Sequence, residues 1–420
     1  MIRYIVCLFF TFFFAATWAQ TKVYNTEIFN PNVKTLRYAL PNESFNSSLI
    51  ELNSSDVLEI SFDELSHENH FYNYRVLHCN ADWTASNLIE NEYIDGFISG
   101  NITDNSLSEA TTVTYTHYRL SIPNSNMQFK ISGNYVLQIY EDNQADNIVA
   151  QVCFSIVEPK VTISGTVRGN TDTELNRRMQ QLDFYVDLAG YPIRDANEEL
   201  RITVHQNNRI DNQRMNVKPT YFAPSKLSYI NNRDLIFEGG SEYHRFDISS
   251  VYAASFGMDE IRYNRPYYEA YLTPNTVQNS NVYNYQPDVN GRFVVNHQEA
   301  FRDANIEADY MQVFFTLDTK DPFFDGQVYI GGEFNSNLIN ESSRMKYDFD
   351  NDKYYYIAML KQGGYNYQYW FVPKGQTKAN LEKIEGSFWQ TGNEYTIYVY
   401  YRPWGERYDR LIGVKTITSN

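Results

Sequence analysis

Several kinds of chemistry are missing from this chain. It has only three cysteines in 420 residues, and Cys7 sits inside the apolar N-terminal run. That leaves Cys79 and Cys153 with no CxxC spacing, which excludes a thiol redox motif and a cysteine-rich zinc module. No GxSxG, Walker, GxGxxG or HExxH pattern occurs, so the usual hydrolase, nucleotide-binding and metalloprotease signatures are absent. Positive charge is also scarce. Lys and Arg number 35 against 51 Asp and Glu, for a net charge of -16. A surface of that sign argues against nucleic acid or anionic lipid as a partner. Beyond the N-terminus no apolar run approaches the length of a membrane span, so no direct lipid insertion is expected.

The N-terminal stretch MIRYIVCLFFTFFFAATWA has one early basic residue, Arg3, an apolar run and a small-residue close at Ala19. It reads as a secretory signal peptide over residues 1–19, cut before Gln20. The mature chain is therefore expected to be exported and soluble. An exported compartment permits a disulfide between Cys79 and Cys153, with two buried free thiols as the alternative.

What is abundant is aromatic. Tyr 36 and Phe 27 suit the pleated, half-buried surface of a sheet. Alternating runs separated by Asn, Asp, Gly and Ser clusters repeat along the whole mature chain, as in residues 57–65, 72–79, 112–122, 134–141 and 150–158. The pattern predicts an all-β fold of tandem immunoglobulin-like β-sandwich domains. Pro159 and the loop before Asp303 divide it into an N-terminal sandwich (20–158), a middle sandwich (159–304) and a C-terminal sandwich (305–420). Residues 72–97 look central: a strand with Tyr72, Tyr74, Val76 and His78 on one face feeds a loop in which Asn80, Asp82, Thr84 and Ser86 can bond their own backbone around Trp83.

Three clusters invite a functional reading. Asp348, Asp350 and Asp352 resemble the start of a calcium loop, but Lys353 stands where the glycine belongs and Met359 where the last carboxylate belongs, so a solvated hairpin turn is expected. His67 and His70 around Glu68 lack the helical spacing of a zinc site. Trp370, Trp389 and Trp404, with Tyr365, Tyr367 and Tyr369, crowd the last third of the chain. Alternation would turn half of these outward, as a protein interface or a sugar-stacking platform, unless they fill a sandwich core. Trp389 and Trp404 are the candidate interface anchors.

Longer motifs carry a family resemblance. HCNADW (78–83), EYIDGF (92–97), YTHYRLSIPN (115–124), SGNYVLQIY (132–140), QQLDFYV (180–186), VHQNNRIDN (204–212), LSYINNRDLIFEGGSEYHRFD (227–247), DVNGRF (288–293), EADYMQVFF (307–315) and LKQGGYNYQY (360–369) resemble the type IX secretion system plug protein family of Bacteroidota. The resemblance implies a periplasmic, non-enzymatic subunit without a cofactor. Its implied partner is the outer-membrane translocon barrel, whose periplasmic opening it would seal when no substrate is in transit; no small-molecule ligand is expected. Residues 331–371 are also similar to early-set immunoglobulin domains that include glycogen-type carbohydrate-binding modules, with Ser336 and Asn337 where those modules carry tryptophan. That second resemblance supports an alternative, a secreted or surface glycan-binding protein using the C-terminal aromatics.

Overall fold

Alternation of apolar and polar residues determines which strands form, and the computed structural model shows how they pair. It describes residues 22–419 apart from 42, 67–69, 143 and 279–281, so the expected signal peptide, His67 and Glu68 lie outside the described residues. The first domain packs two mainly antiparallel sheets. One runs in the order Glu27–Ile28, Ile148–Val157, Gly133–Glu141, Tyr72–Cys79 and Ser99–Ile102, with Leu49–Glu51 added parallel to Ile148–Val157; the other runs Val33–Ala39, Leu58–Glu64, Thr116–Ile122 and Asp104–Leu107. Tyr72, Tyr74 and Val76 point inward as their spacing requires. Phe62 stacks on Tyr118 at 5.0 Å and meets Tyr72 edge-on at 5.4 Å, the offset geometry that ring quadrupoles favour.

The second domain is not continuous in sequence. One of its sheets is Thr162–Arg168, Met179–Asp187, Lys226–Tyr229 and Tyr221–Ala223, and Ile236–Glu238 also pairs with Met179–Asp187. The facing sheet is Arg214–Met215, Leu200–Gln206, Glu394–Tyr401 and Arg410–Thr418, so the last two strands of the chain complete it. Leu200 pairs with Tyr401 and Gln206 with Tyr395, and Tyr395, Ile397, Val399 and Ile412 enter the same core as Phe184, Ile202 and Tyr229. The third domain is inserted between these two parts. Its core gathers Phe246, Ala270 and Phe293 with Val313, Phe315, Ile330 and Tyr367. The expected division at 304/305 is therefore wrong: residues 244–295 belong with the third core, and residues 394–418 with the second. Local alternation marks a strand but carries no information on its partner.

The strand Gly363–Pro373 decides between the two readings of its aromatics. Tyr365, Tyr367, Tyr369 and Trp370 are all buried, so they fill cores and none turns outward as simple alternation would have half of them do. The odd positions enter the third core; Trp370 and Val372 turn the other way, onto Ala379 and Leu381. Arg209, from the second domain, lies 4.6 Å over the Trp370 ring. Both faces are thus covered.

Cys79 and Cys153 are free thiols, and the candidate disulfide is not formed. Cys79 pairs with Asn134, and Cys153 pairs with Val136 on the other edge of that same strand. Two strand spacings separate them, about 10 Å. A disulfide needs Cα atoms within about 7 Å.

Two outcomes follow. Thiol titration of the mature protein, denatured without reductant, should count both cysteines. A chain ending at residue 392 removes half of one sheet from the second core, so its far-UV and near-UV circular dichroism should show loss of cooperative folding there; an unchanged melt would contradict the discontinuous domain.

Candidate interface site

Three polar joints hold the domains to one another. The first and third meet through two cross-strand pairs. Asp63 lies opposite His117 in the first domain, and Tyr310 lies opposite Lys361 in the third. The Asp63 carboxylate accepts from His117 Nδ1, from the Tyr310 hydroxyl and from Lys361 Nζ, each at 2.6 Å. Lys361 Nζ also donates to the Asn305 carbonyl at 2.5 Å and sits 4.2 Å over the Tyr115 ring. Asp63 and Lys361 are both fully buried. Burial alone would push the Asp63 carboxyl up, but Lys361 and His117 overcome it and hold the group below the usual carboxylate range. Beside this pair, Asp309 accepts from the Thr112 hydroxyl at 2.6 Å and from the Thr112 and Val113 amides at 2.8 and 3.0 Å.

The loop 80–86 is the first domain's seat for the second. Asp409, in the loop before the last strand, accepts from the Ala81 amide at 2.9 Å, from Arg201 at 2.5 Å and from Arg402 at 2.8 Å. Arg402 also reaches the Asn80 side chain at 2.6 Å. The loop is shaped by its own side chains, as its composition suggested: Asp82 accepts from both the amide and the hydroxyl of Thr84, and Trp83 takes a left-handed conformation with φ 60°.

The second and third domains meet through a bidentate Arg292–Glu394 pair at 2.9 and 2.5 Å. Gln180 donates to the carbonyls of Trp389 and Thr391 at 2.8 Å each. Among the described residues each domain therefore makes polar contacts to both of the others.

The two anchor tryptophans occupy different places. Trp389 is 37% exposed and lies over Gly169, where an added Cβ would come within 2.5 Å of its ring. It belongs to the seam between the second and third domains. Trp404 is 96% exposed, in the loop between Glu394–Tyr401 and Arg410–Thr418. In the same loop Arg407 contacts Glu92 and the Asn87 carbonyl of the first domain. The structure does not bring the two together. Sequence reading passed over Phe324 and Phe349, which are 85% and 75% exposed in loops of the third domain. A phenylalanine set between aspartates in a turn, as in PFFD and DFDND, is the signal that could have marked them.

Nothing among the described residues assembles a metal cluster. Asp348 spends its carboxylate on the amides of Asp350 and Asn351 and on the Asn351 side chain, which makes the acidic run a turn motif. No helix among the described residues is long and apolar enough to cross a membrane.

Residues 33–158 match the model of the type 9 secretion system plug protein 1st domain. The fold is similar to the crystal structure of a hypothetical protein from Parabacteroides merdae, with 41% identity, a TM-score of 0.93, and coverage of 95% of this chain and 100% of the other. A likeness to the collagen adhesin of S. aureus, at 7% identity, TM-score 0.13 and 92% coverage of each chain, carries no argument. No curated protein matches.

The buried pair sets a pH and mutational test. A carboxylate with a lowered folded pKa contributes stability that is full above its unfolded value of about 3.9 and is lost as pH falls through the folded value. The urea midpoint should therefore fall on acidification below that range, and Asp63→Asn should flatten this dependence. Lys361→Met leaves a buried carboxylate short of its cation and should cost about 3 to 5 kcal/mol. Adding Asp63→Leu to Lys361→Met should recover part of that loss.

Proposed function

The chain belongs to the type IX secretion system plug protein family, and we propose that it is the non-enzymatic subunit that seats in the periplasmic opening of the outer-membrane translocon barrel and keeps it closed while no substrate is in transit. The observation that carries this reading is the family match joined to the closed three-domain body. A seal across a wide pore must resist deformation, and three domains locked pairwise by buried and bidentate charged groups meet that need better than a flexible string of sandwiches. An exported chain in the periplasm fits the N-terminal signal. The net charge of -16 favours a basic rim on the partner and speeds encounter with it.

Stable seating requires buried area at or above about 1,200 to 2,000 Å², with aromatic anchors near its centre. Trp404, almost wholly exposed on a braced loop, is the first anchor we assign to that contact. Trp389 contributes to the seam beneath. The glycan-binding alternative keeps only Trp389 and Trp404 as exposed rings, because Tyr365, Tyr367, Tyr369 and Trp370 are core residues.

Affinity capture with the tagged chain from detergent-solubilised outer membranes should recover the translocon barrel. Trp404→Ala should lower recovery by about tenfold, the scale of a single hot-spot aromatic, while the melting temperature stays unchanged. Failure of the unaltered chain to recover any barrel would overturn the proposal.

A further inference from the structure

Two of the sheet edges in the second domain are short: Arg214–Met215 has two residues and Tyr221–Ala223 has three. The edges Thr162–Arg168 and Arg410–Thr418 run for seven and nine. These long edges meet at one end, where the amides of Glu158, Lys160 and Val161 donate to the carbonyls of Leu411 and Ile412 at 2.9, 2.8 and 3.3 Å. Beyond that contact the strands part. Among the described residues, no main-chain group of 162–168 or 413–418 bonds anything except the inner neighbour in its own sheet. In an antiparallel sheet every second residue of an edge strand turns its N–H and C=O outward, so Thr162–Arg168 offers about three residues for pairing.

The groove that opens where the strands part has a volume of about 820 Å³. Long edges in native proteins are guarded by lysine, proline, a bulge or a covering segment. Thr162–Arg168 contains no lysine or proline, and its register with Met179–Asp187 runs without a bulge. Arg168 is drawn back to Asp183 and Asp172 at 2.7 and 3.0 Å. Thr162, Ser164 and Thr166 are exposed, so no loop covers the strand. Gly165 leaves its centre without a side chain, and the partly exposed Trp389 stands over Gly169 at the far end. The charge of the groove selects its occupant. The chain carries 51 Asp and Glu, yet none lines this groove. Lys415 does line it, exposed and in no ion pair among the described residues. A neutral or acidic strand is accepted there, and a basic one is repelled.

We propose that Thr162–Arg168 is a docking edge to which an extended, neutral or acidic segment of the translocon barrel adds as a further strand, bonded main chain to main chain between Lys415 and Trp389. This rests on the plug reading, which supplies the partner, and goes further by naming the face and the mode of contact. In contacts of this kind the paired main chains give affinity, and the side chains beside the edge give selectivity.

Hydrogen exchange reads such pairing directly. The chain would be exchanged alone, at two concentrations, and in the complex recovered with the purified translocon barrel, with the amides of 162–168 resolved one by one by mass spectrometry. In the complex alternate amides of this strand should exchange about tenfold more slowly, while those already paired with 179–187 stay as slow as before. Lys415→Glu places a carboxylate in the groove and should lower recovery of the complex about tenfold, with the melting temperature unchanged. A recovered complex with no change in these amides, or full recovery with Lys415→Glu, would overturn the inference and leave the plug reading standing. Slowing that appears in the free chain as its concentration rises would assign the edge to a second copy and overturn it as well. Failure to recover any complex would overturn the plug reading and this inference with it.

Discussion

A carboxylate and an ammonium sealed away from water, Asp63 against Lys361, form the interaction on which the arrangement of this molecule depends. A buried ion pair is weak evidence for stability, because desolvation offsets most of the attraction. Its geometric demand is strong. Asp63 meets three donors at 2.6 Å only when the first and third domains sit in one relative position, since two of those donors come from the other domain. Any slip would leave a charge buried without its partner. The pair therefore specifies an orientation more than it adds free energy.

The remaining joints complete what this one begins. Asp409 collects Ala81, Arg201 and Arg402, and ties the last strands of the chain to the loop at 80–86. Arg292 and Glu394 clamp the inserted domain to the domain that contains the insertion. The inserted domain is also fastened by two chain crossings, one on each side of its 244–384 core, which limits its rotation further. Bracing of this kind is what the proposed sealing role would require.

Much of the secondary structure is legible in the sequence, and the assembly is not. The run at 72–79 is a strand with those same bounds, because side-chain alternation is a local property. The long pairing of 200–206 with 394–401 has no local signature, and this is why the domain boundary at 304/305 failed. The lock was hidden for a related reason. Leu58, Ile60 and Phe62 set the inward phase of their strand, and Asp63 falls outside it, as Lys361 falls outside the phase of Tyr354, Ala358 and Leu360. Each reads as a solvent-facing charge on its own strand, and each is buried because the other domain covers it. Trp404 is legible as a residue of interest from the crowding of aromatics in the last third of the chain; that Trp370 belongs to a core was decided by Arg209, Ala379 and Leu381, which are remote in sequence or outside the strand.

The proposed role is occlusion, and single-channel conductance measures occlusion directly. Translocon barrels purified from cells with and without this chain would be reconstituted side by side in planar bilayers. The account predicts that barrels carrying the chain stay closed, that barrels lacking it show large steady conductance, and that adding the purified chain to the periplasmic side closes them again. Equal conductance in both preparations, with no effect of the added chain, would contradict it.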